Sequence, residues 1–510
     1  MNTENKVDEV QVERLDDIPV IFGHLQKMHI QATIDGVITP HGNWQGLSPG
    51  WVITIWLIHI LSEHTHCMDR VQPWVAKRLQ ALTGQAVRVL DFTDDRLALC
   101  LDMLSEREAW QAIETRLSQQ LLRVYRLGEE ATVRLDASTG TVYHEPAQHT
   151  LFKVGKAKSG EFATQYKLML ASLDPLGLTL AVDVVAGNRA DDPLYVPCYQ
   201  RVKDVLPEKG LLVVGDSKMS ALETRGTIVA AEDNYLTPLA HRKDEPELLA
   251  TLLAPWLGRE AELARIFLPE DWPAAAGQPA PELALAYGFT VTRPREAQVA
   301  GQTITWEERL LVVRSFAYAR SSQQWLHRRL DKAEQALRAL TPPRGRGKRQ
   351  IARESELLTA IQRIEEQYRV PGFFAYAYQR EVTERQIRAY GDRPARTERR
   401  VRYQLTVTRA ETAIAEAEFR TGWRIYATNA PRERLTLTAA VLAYRDQYIE
   451  ENIFRRLQGK LLSITPVYVQ RDERAQGLFH LLTLAARVLA LGDYTAKQAL
   501  AAEAAELAGI

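Results

Sequence analysis

The stretch Ala131-Thr132-Val133-Arg134-Leu135-Asp136-Ala137-Ser138-Thr139-Gly140-Thr141-Val142-Tyr143 decides how the rest of the chain is read. β-Branched and polar residues alternate through it, the period of a half-buried strand. Alternation puts Arg134, Asp136 and Ser138 on one face and Val133 and Leu135 on the other. Asp136 therefore stands mid-strand where a core position ought to be apolar, and a carboxylate there calls for a chemical reason.

Two more strands follow, Gln165 to Leu173 and Leu178 to Val185, joined by the strong turn Asp174-Pro175-Leu176-Gly177, so the three form an antiparallel meander. A helix fits Pro193 to Val205. Leu211-Leu212-Val213-Val214-Gly215-Asp216 reads as a fully buried strand that needs a crossover to pair in parallel. A helix near Ala221 to Ala231 and a strand at Tyr235 to Leu239 complete the order of a ribonuclease-H-like α/β core with a mixed sheet. Asp216 lies at the carboxyl end of its strand, where open α/β sheets place their chemistry. With the first and fourth strands as neighbours, both carboxylates point into one shallow site.

Outward from this core, 510 residues give a prior of about three domains at roughly 150 residues each. Apolar residues at 46% and charged residues at 25% exclude disorder, a collagen-like repeat and a disulfide scaffold. Lys plus Arg and Asp plus Glu both number 64, which excludes a protein that coats nucleic acid by bulk charge. Any DNA contact has to be local. Cys67, Cys100 and Cys198 are odd in number and scattered, which suits a reducing cytoplasm and gives no zinc spacing. Met1 to Val10 is polar and acidic, and the longest apolar run, Trp51 to Leu61, is about half of the roughly 20 residues a span needs. The expectation is a soluble, cytoplasmic protein with no membrane partner.

Residues 1–125 carry helical periodicity, with Ser48-Pro49-Gly50 opening an apolar helix and Glu106 to Tyr125 a long amphipathic stretch. They predict an all-α N-terminal domain. The core then runs over 126–240 and resumes at 421–510, with a strand at Gly422 to Asn429, a long helix from about Thr438 to Leu461 and an apolar helix at 475–492. Between them, 241–420 predicts a large α+β insertion. It has strand-like segments at 284–292 and 303–316 and two helices, about 322–340 and 351–367, on either side of a basic loop tip at Thr341 to Arg349. Residues 321–420 hold 21 Lys plus Arg against 13 Asp plus Glu, an excess of 8 inside a neutral chain.

Two carboxylates on strands suit hard divalent cations, and two Mg²⁺ or Mn²⁺ ions about 4 Å apart serve phosphodiester chemistry. A third carboxylate is sought on the helix around Tyr444 to Gln458. At 100° per residue Ile449, Ile453 and Leu457 form its buried stripe, and Tyr444, Gln447, Glu451, Arg455 and Gln458 a nearly opposite polar one. Glu450 lies on the flank of the apolar stripe and competes with Glu451, which the projection favours.

The order Asp136, Asp216, Glu451, set in Val-Arg-Leu-Asp-Ala-Ser-Thr and Val-Val-Gly-Asp-Ser-Lys-Met-Ser-Ala, resembles the DDE transposases of bacterial insertion sequences. Within them it resembles the group with a Tyr-(2)-Arg-(3)-Glu-(6)-Lys signature and a large insertion between the second aspartate and the glutamate. Tyr444 and Glu451 match that spacing, while Gln447 and Gln458 stand at the Arg and Lys positions, with Arg445, Arg455, Arg456 and Lys460 near enough to substitute. The resemblance implies metal-dependent cleavage and strand transfer of insertion-sequence ends by cut-and-paste transposition. It also implies two Mg²⁺ (or Mn²⁺) ions held by Asp136, Asp216 and Glu451, and an N-terminal domain that binds transposon ends. The implied partners are double-stranded DNA, as terminal inverted repeats and target, in a homodimeric complex at the nucleoid. The Gln447 and Gln458 departures keep a second reading open, a domesticated, non-cleaving DNA-binding protein with a transposase fold. A structure-selective nuclease on the same core is a third.

Candidate DNA contacts are Lys218 with Asn188 near the site, Arg344, Arg346, Lys348 and Arg349 at the basic tip, the run Arg393 to Arg402, and Tyr444, Arg445, Gln447, Arg455 and Gln458. For the basic runs the competing reading is a solvated loop. Family members use an aromatic in the insertion to stack on a flipped base, which makes Trp306 a candidate against the plainer reading of a core or surface tryptophan. Asp183, Asp191 and Asp192 lie in reach of the same region, though Asp191-Asp192-Pro193 reads as a helix start.

Overall fold

The computed structural model describes residues 15–503 except 79–81, 83–86, 128–130, 158–159, 241–244, 272–278, 346–347, 390 and 392–393. The chain divides into two compact units, Met1–Ala240 with Thr292–Arg309 and Ala427–Ile510, and His241–Val291 with Leu310–Tyr426.

In the first unit the strands are β1 (Thr132–Thr141), β2 (Lys153–Lys156), β3 (Phe162–Leu173), β4 (Leu178–Ala186), β5 (Leu212–Gly215) and β6 (Asn234–Pro238). β3 pairs antiparallel with β1, β2 and β4, whereas β5 pairs in parallel with β1 and β6. Spatial order β4-β3-β1-β5-β6 therefore puts β1 at the centre, where the antiparallel half meets the parallel half. The parallel half needs crossovers, and the helices Tyr195–Val205 and Leu222–Ala230 supply them. Leu212, Val213 and Val214 are all buried, as a strand covered on both faces requires.

Around this sheet lie the helices Ile18–Lys27, Ile30–Asp35, Pro49–Glu63, Met68–Val75, Asp94–Ser105 and Arg107–Tyr125, together with Asp472–Ala502 from the other end of the chain. The Ser48 hydroxyl caps the third of these by accepting from the Trp51 N–H. That helix is buried on every side from Val52 to Leu61, the mark of an interior helix. Asp472–Ala502 is apolar and long enough to cross a bilayer by composition, yet 83% of its apolar window is buried inside the protein. The N-terminal helices share a compact unit with the sheet, through contacts such as Ser118 Oγ donating to the Leu180 carbonyl of β4 at 3.3 Å.

The second unit contains β7 (Ala264–Ile266), parts of β8 (Ala286–Val299), β9 (Gln302–Ser315) and β12 (Trp423–Thr428), and a separate two-stranded ribbon of β10 (Phe374–Ile387) and β11 (Arg396–Arg409). The helices Phe316–Ala339 and Glu354–Tyr368 pack Leu326, Leu330, Leu357 and Ile361 against Phe374, Tyr403 and Leu405 at the base of that ribbon. A second apolar cluster joins Leu253, Tyr287, Val312, Phe419 and Trp423.

Candidate carboxylate site

The ladder between β1 and β5 runs from Thr132↔Leu212 to Leu135↔Gly215, so the next position on each strand is Asp136 on one and Asp216 on the other. Parallel neighbours lie about 4.8 Å apart and project to the same side of the sheet. A Cβ on Gly215 would meet the Met219 sulfur at 2.6 Å, and its absence lets the turn Ser217–Ser220 fold back over the strand end. Asp216 caps that turn, its Oδ1 accepting from the Lys218 N–H at 2.8 Å. One oxygen of Asp136 accepts from the Ala137 N–H at 2.8 Å.

The helix expected from Thr438 to Leu461 is two helices, Leu437–Arg445 and Tyr448–Gln458, separated at Asp446-Gln447. The second lays Ile449, Ile453 and Leu457 inward, over the β3–β4 turn. Gly177 sits there at φ 64°, and any Cβ on it would come within 3.2 Å of Ile449 and 3.3 Å of Ile453. Glu450 goes inward with that stripe and is 3% exposed. Burial pushes its carboxyl well above the usual range, and Asp136, Asp174 and Asp216 push the same way while Arg134 opposes them. Its Oε1 is buried without a hydrogen-bond partner. Glu451 is exposed on the other side of the helix. Glu450 thus lies on the sheet-facing flank of this helix and Glu451 at the exposed position next to it, while Gln458, on the same polar stripe as Glu451, reaches β1.

Arg134, also buried, fixes this arrangement from below. Its Nε and Nη2 grip both oxygens of Asp174 at 2.6–2.9 Å, and Nη2 also donates to the Ala443 carbonyl at 2.7 Å. Tyr195, 1% exposed, donates its hydroxyl to Asp216 Oδ1 at 2.6 Å. Its own proton is held well above the usual phenol range by burial, then by Asp216, and further by Asp136 and Glu450. Sequence reasoning missed Tyr195, because a tyrosine opening an amphipathic helix reads as core. Among the described residues no three His, Cys, Asp or Glu side chains converge on an ion site as they stand. Asp136 is turned to its neighbouring N–H and Asp216 to Tyr195 and Lys218.

A domain family of unknown function, DUF4277, matches residues 10–116. No curated protein matches the sequence. Among solved structures, the piggyBac transposase synaptic complex with hairpin DNA is similar at 9% identity and a TM-score of 0.25. The likeness covers 45% of this chain and 52% of that one, so the chain spans about half that protein's length. A likeness of that size lends no weight to a mechanism.

The other candidates scatter. Lys218 stays beside the site, 4.0 Å from Asp192, and Gln458 Nε2 reaches the Thr139 carbonyl of β1 at 3.2 Å. Tyr444 and Gln447 are half-buried, Arg445 and Arg455 exposed, and Arg456 is turned to Asp493. Asp183 is drawn off by Arg201 and Asp191 by Lys167. Trp306 is half-buried, its Nε1 donating to the Tyr235 hydroxyl at 3.0 Å. That hydroxyl in turn donates to Glu308, a fully buried carboxylate that also holds Arg225, Arg293 and Arg295. Arg344, Lys348 and Arg349 belong to the second unit, and Arg346 lies outside the described residues.

Proposed function

We propose that the chain is a metal-dependent DNA transposase working on a ribonuclease-H-like core, with Asp136, Asp216 and Glu450 as its ligand set. The observation that carries this reading is Glu450, a buried carboxylate with an unpartnered oxygen that interacts electrostatically with two strand-borne aspartates. Like charges gathered in a low-dielectric pocket are costly when a single guanidinium, Arg134, offsets them, and a hard cation is a natural further compensation for an all-oxygen donor set. Bound there, two Mg²⁺ or Mn²⁺ ions would supply activation of the attacking oxygen and stabilisation of the leaving one. The protein's own residues set the geometry. Arg134 braces the floor through Asp174, and the Tyr195 hydroxyl and Lys218 N–H hold Asp216 Oδ1.

The test is nicking of DNA that carries the inverted repeats bracketing the coding region. Wild-type protein is expected to nick it in Mg²⁺ or Mn²⁺, and Asp136→Ala to bind it without cleaving. Equal cleavage by the two, or none by wild type under any metal, defeats the reading and leaves a non-cleaving binder. A companion prediction concerns Tyr195. Outer partners of metal ligands typically contribute about 10- to 100-fold in affinity, so Tyr195→Phe should weaken Mn²⁺ binding by that factor in a calorimetric titration. Unchanged affinity would remove Tyr195 from the site.

A further inference from the structure

The ribbon β10–β11 divides into two halves with different physics. At its base Phe374, Tyr376, Tyr378, Tyr403, Leu405 and Val407 pack on the helices beneath, and Arg409 ties it down through Asp331 at 2.6 Å and Glu334 at 2.8 Å. Beyond the pair Arg380↔Tyr403, among the described residues only Val401 still packs against that cluster. Val382, Thr383, Glu384, Arg385, Gln386, Arg396, Thr397, Arg399 and Arg400 are all exposed, on both faces. An isolated two-stranded ribbon is marginal in water, and this half has a single apolar pair, Val382↔Val401. What it has in quantity is arginine: between Arg380 and Arg402 the sequence has eight against four acidic residues.

Register sorts these charges. Cross-strand partners share a face, so Glu381/Arg402, Thr383/Arg400, Arg385/Glu398 and Ile387/Arg396 line the side opposite the packed one. Arg344, from the basic loop tip, reaches onto this same face and donates to Thr383 Oγ1 at 2.6 Å. Two basic segments some fifty residues apart in sequence are thereby joined in one strip, with five arginines against two glutamates.

We propose that this face of the ribbon, with Arg344, is a docking surface for double-stranded DNA. Its seven outer pairs extend about 24 Å, and a two-stranded ribbon is of a width the major groove of about 12 Å admits. Charge complementarity selects a polyanion over an apolar partner, and the arginine fork suits phosphate. The surface goes beyond the carboxylate site but rests on DNA being the substrate in the reading above.

The experiment measures binding of the full chain to a 30-base-pair duplex in EDTA, across a salt series, so that cleavage plays no part. Arg385→Gln, Arg396→Gln and Arg400→Gln are combined in one variant. Each neutralised phosphate contributes about 0.9 to the slope of log affinity against log salt. The variant should lose about 2–3 from that slope and at least about tenfold in affinity at moderate salt, with an unchanged melting midpoint. An unchanged slope overturns the proposal, as does wild-type protein that binds no duplex. A loss of self-association in the variant without a change in slope also overturns it, by showing an arm for a second copy. Asp136→Ala should keep the wild-type slope, which separates a failure of this surface from a failure of the cleavage reading.

Discussion

Glu450→Gln is expected to abolish DNA cleavage, whereas Glu451→Gln leaves it within a few-fold of wild type. Glutamine keeps the volume and removes the negative charge, so the loss reads the carboxylate and not the packing of the helix. A ligand that supplies several kcal/mol of charge stabilisation corresponds to a loss on the order of a thousand-fold or more. The same substitution should act in the opposite direction on the metal-free protein. Wild-type Glu450 is buried against Asp136, Asp174 and Asp216, with only Arg134 to offset them, and one of its oxygens has no partner. Glutamine mimics the protonated form that this raised carboxyl favours when no metal is bound, so at pH values above the ordinary carboxylate range the melting midpoint in EDTA should rise. Added Mg²⁺ should then raise the wild-type midpoint and leave that of the variant nearly flat, since stabilisation follows the affinity of the folded state for the ion. Cleavage lost with Glu451→Gln and kept with Glu450→Gln would reverse the assignment.

The sheet was legible because its signals are short-range. Alternation set β1, β3 and β4, the apolar run Leu211 to Val214 set β5, and both aspartates followed from position in their strands. The full burial of Glu450 was not legible because the projection, which leaves it open beside Glu451, treats 444–458 as one helix. The inward stripe Ile449, Ile453, Leu457 was legible in the period, but the break at Asp446-Gln447 has no periodic signal. The ribbon escaped notice for a different reason. Only its base alternates, in Phe374-Ala375-Tyr376-Ala377-Tyr378 and Tyr403-Gln404-Leu405-Thr406-Val407, and the arginine-rich outer half has no apolar period to read. Trp306 gave no hint of Tyr235, since a side chain's identity does not reveal a hydrogen bond to a residue 71 positions away. The N-terminal helices were readable as helices, but not as part of the sheet's unit.

That last merger rests on a buried ion network, and its largest expected effect on stability comes from Glu114→Gln. Glu114 is 1% exposed on the Arg107–Tyr125 helix, and its Oε1 accepts from Arg487 of the C-terminal helix at 2.7 Å. Its Oε2 pairs with Arg201 of the crossover helix and accepts from the Val182 N–H of β4 at 3.3 Å. Three helices and a strand thus converge on one carboxylate. Arg487 has no exposure, and burial draws its guanidinium down to about 9. Its remaining contacts, Ser118 Oγ and the Leu180 carbonyl at 3.3 Å, are neutral. Neutralising Glu114 leaves Arg487 without a counter-charge, and breaking a buried pair from one side costs about 3–5 kcal/mol. Arg487→Met should cost less, because Glu114 keeps Arg201 while the aliphatic chain fills much of the space. In the double variant Arg487→Met should recover most of the Glu114→Gln loss, a coupling that urea unfolding of the four proteins measures directly. A Glu114→Gln protein within 1 kcal/mol of wild type, or additive losses in the double variant, would mean that the helices are held to the sheet by apolar packing alone and that the ion network contributes nothing to their docking.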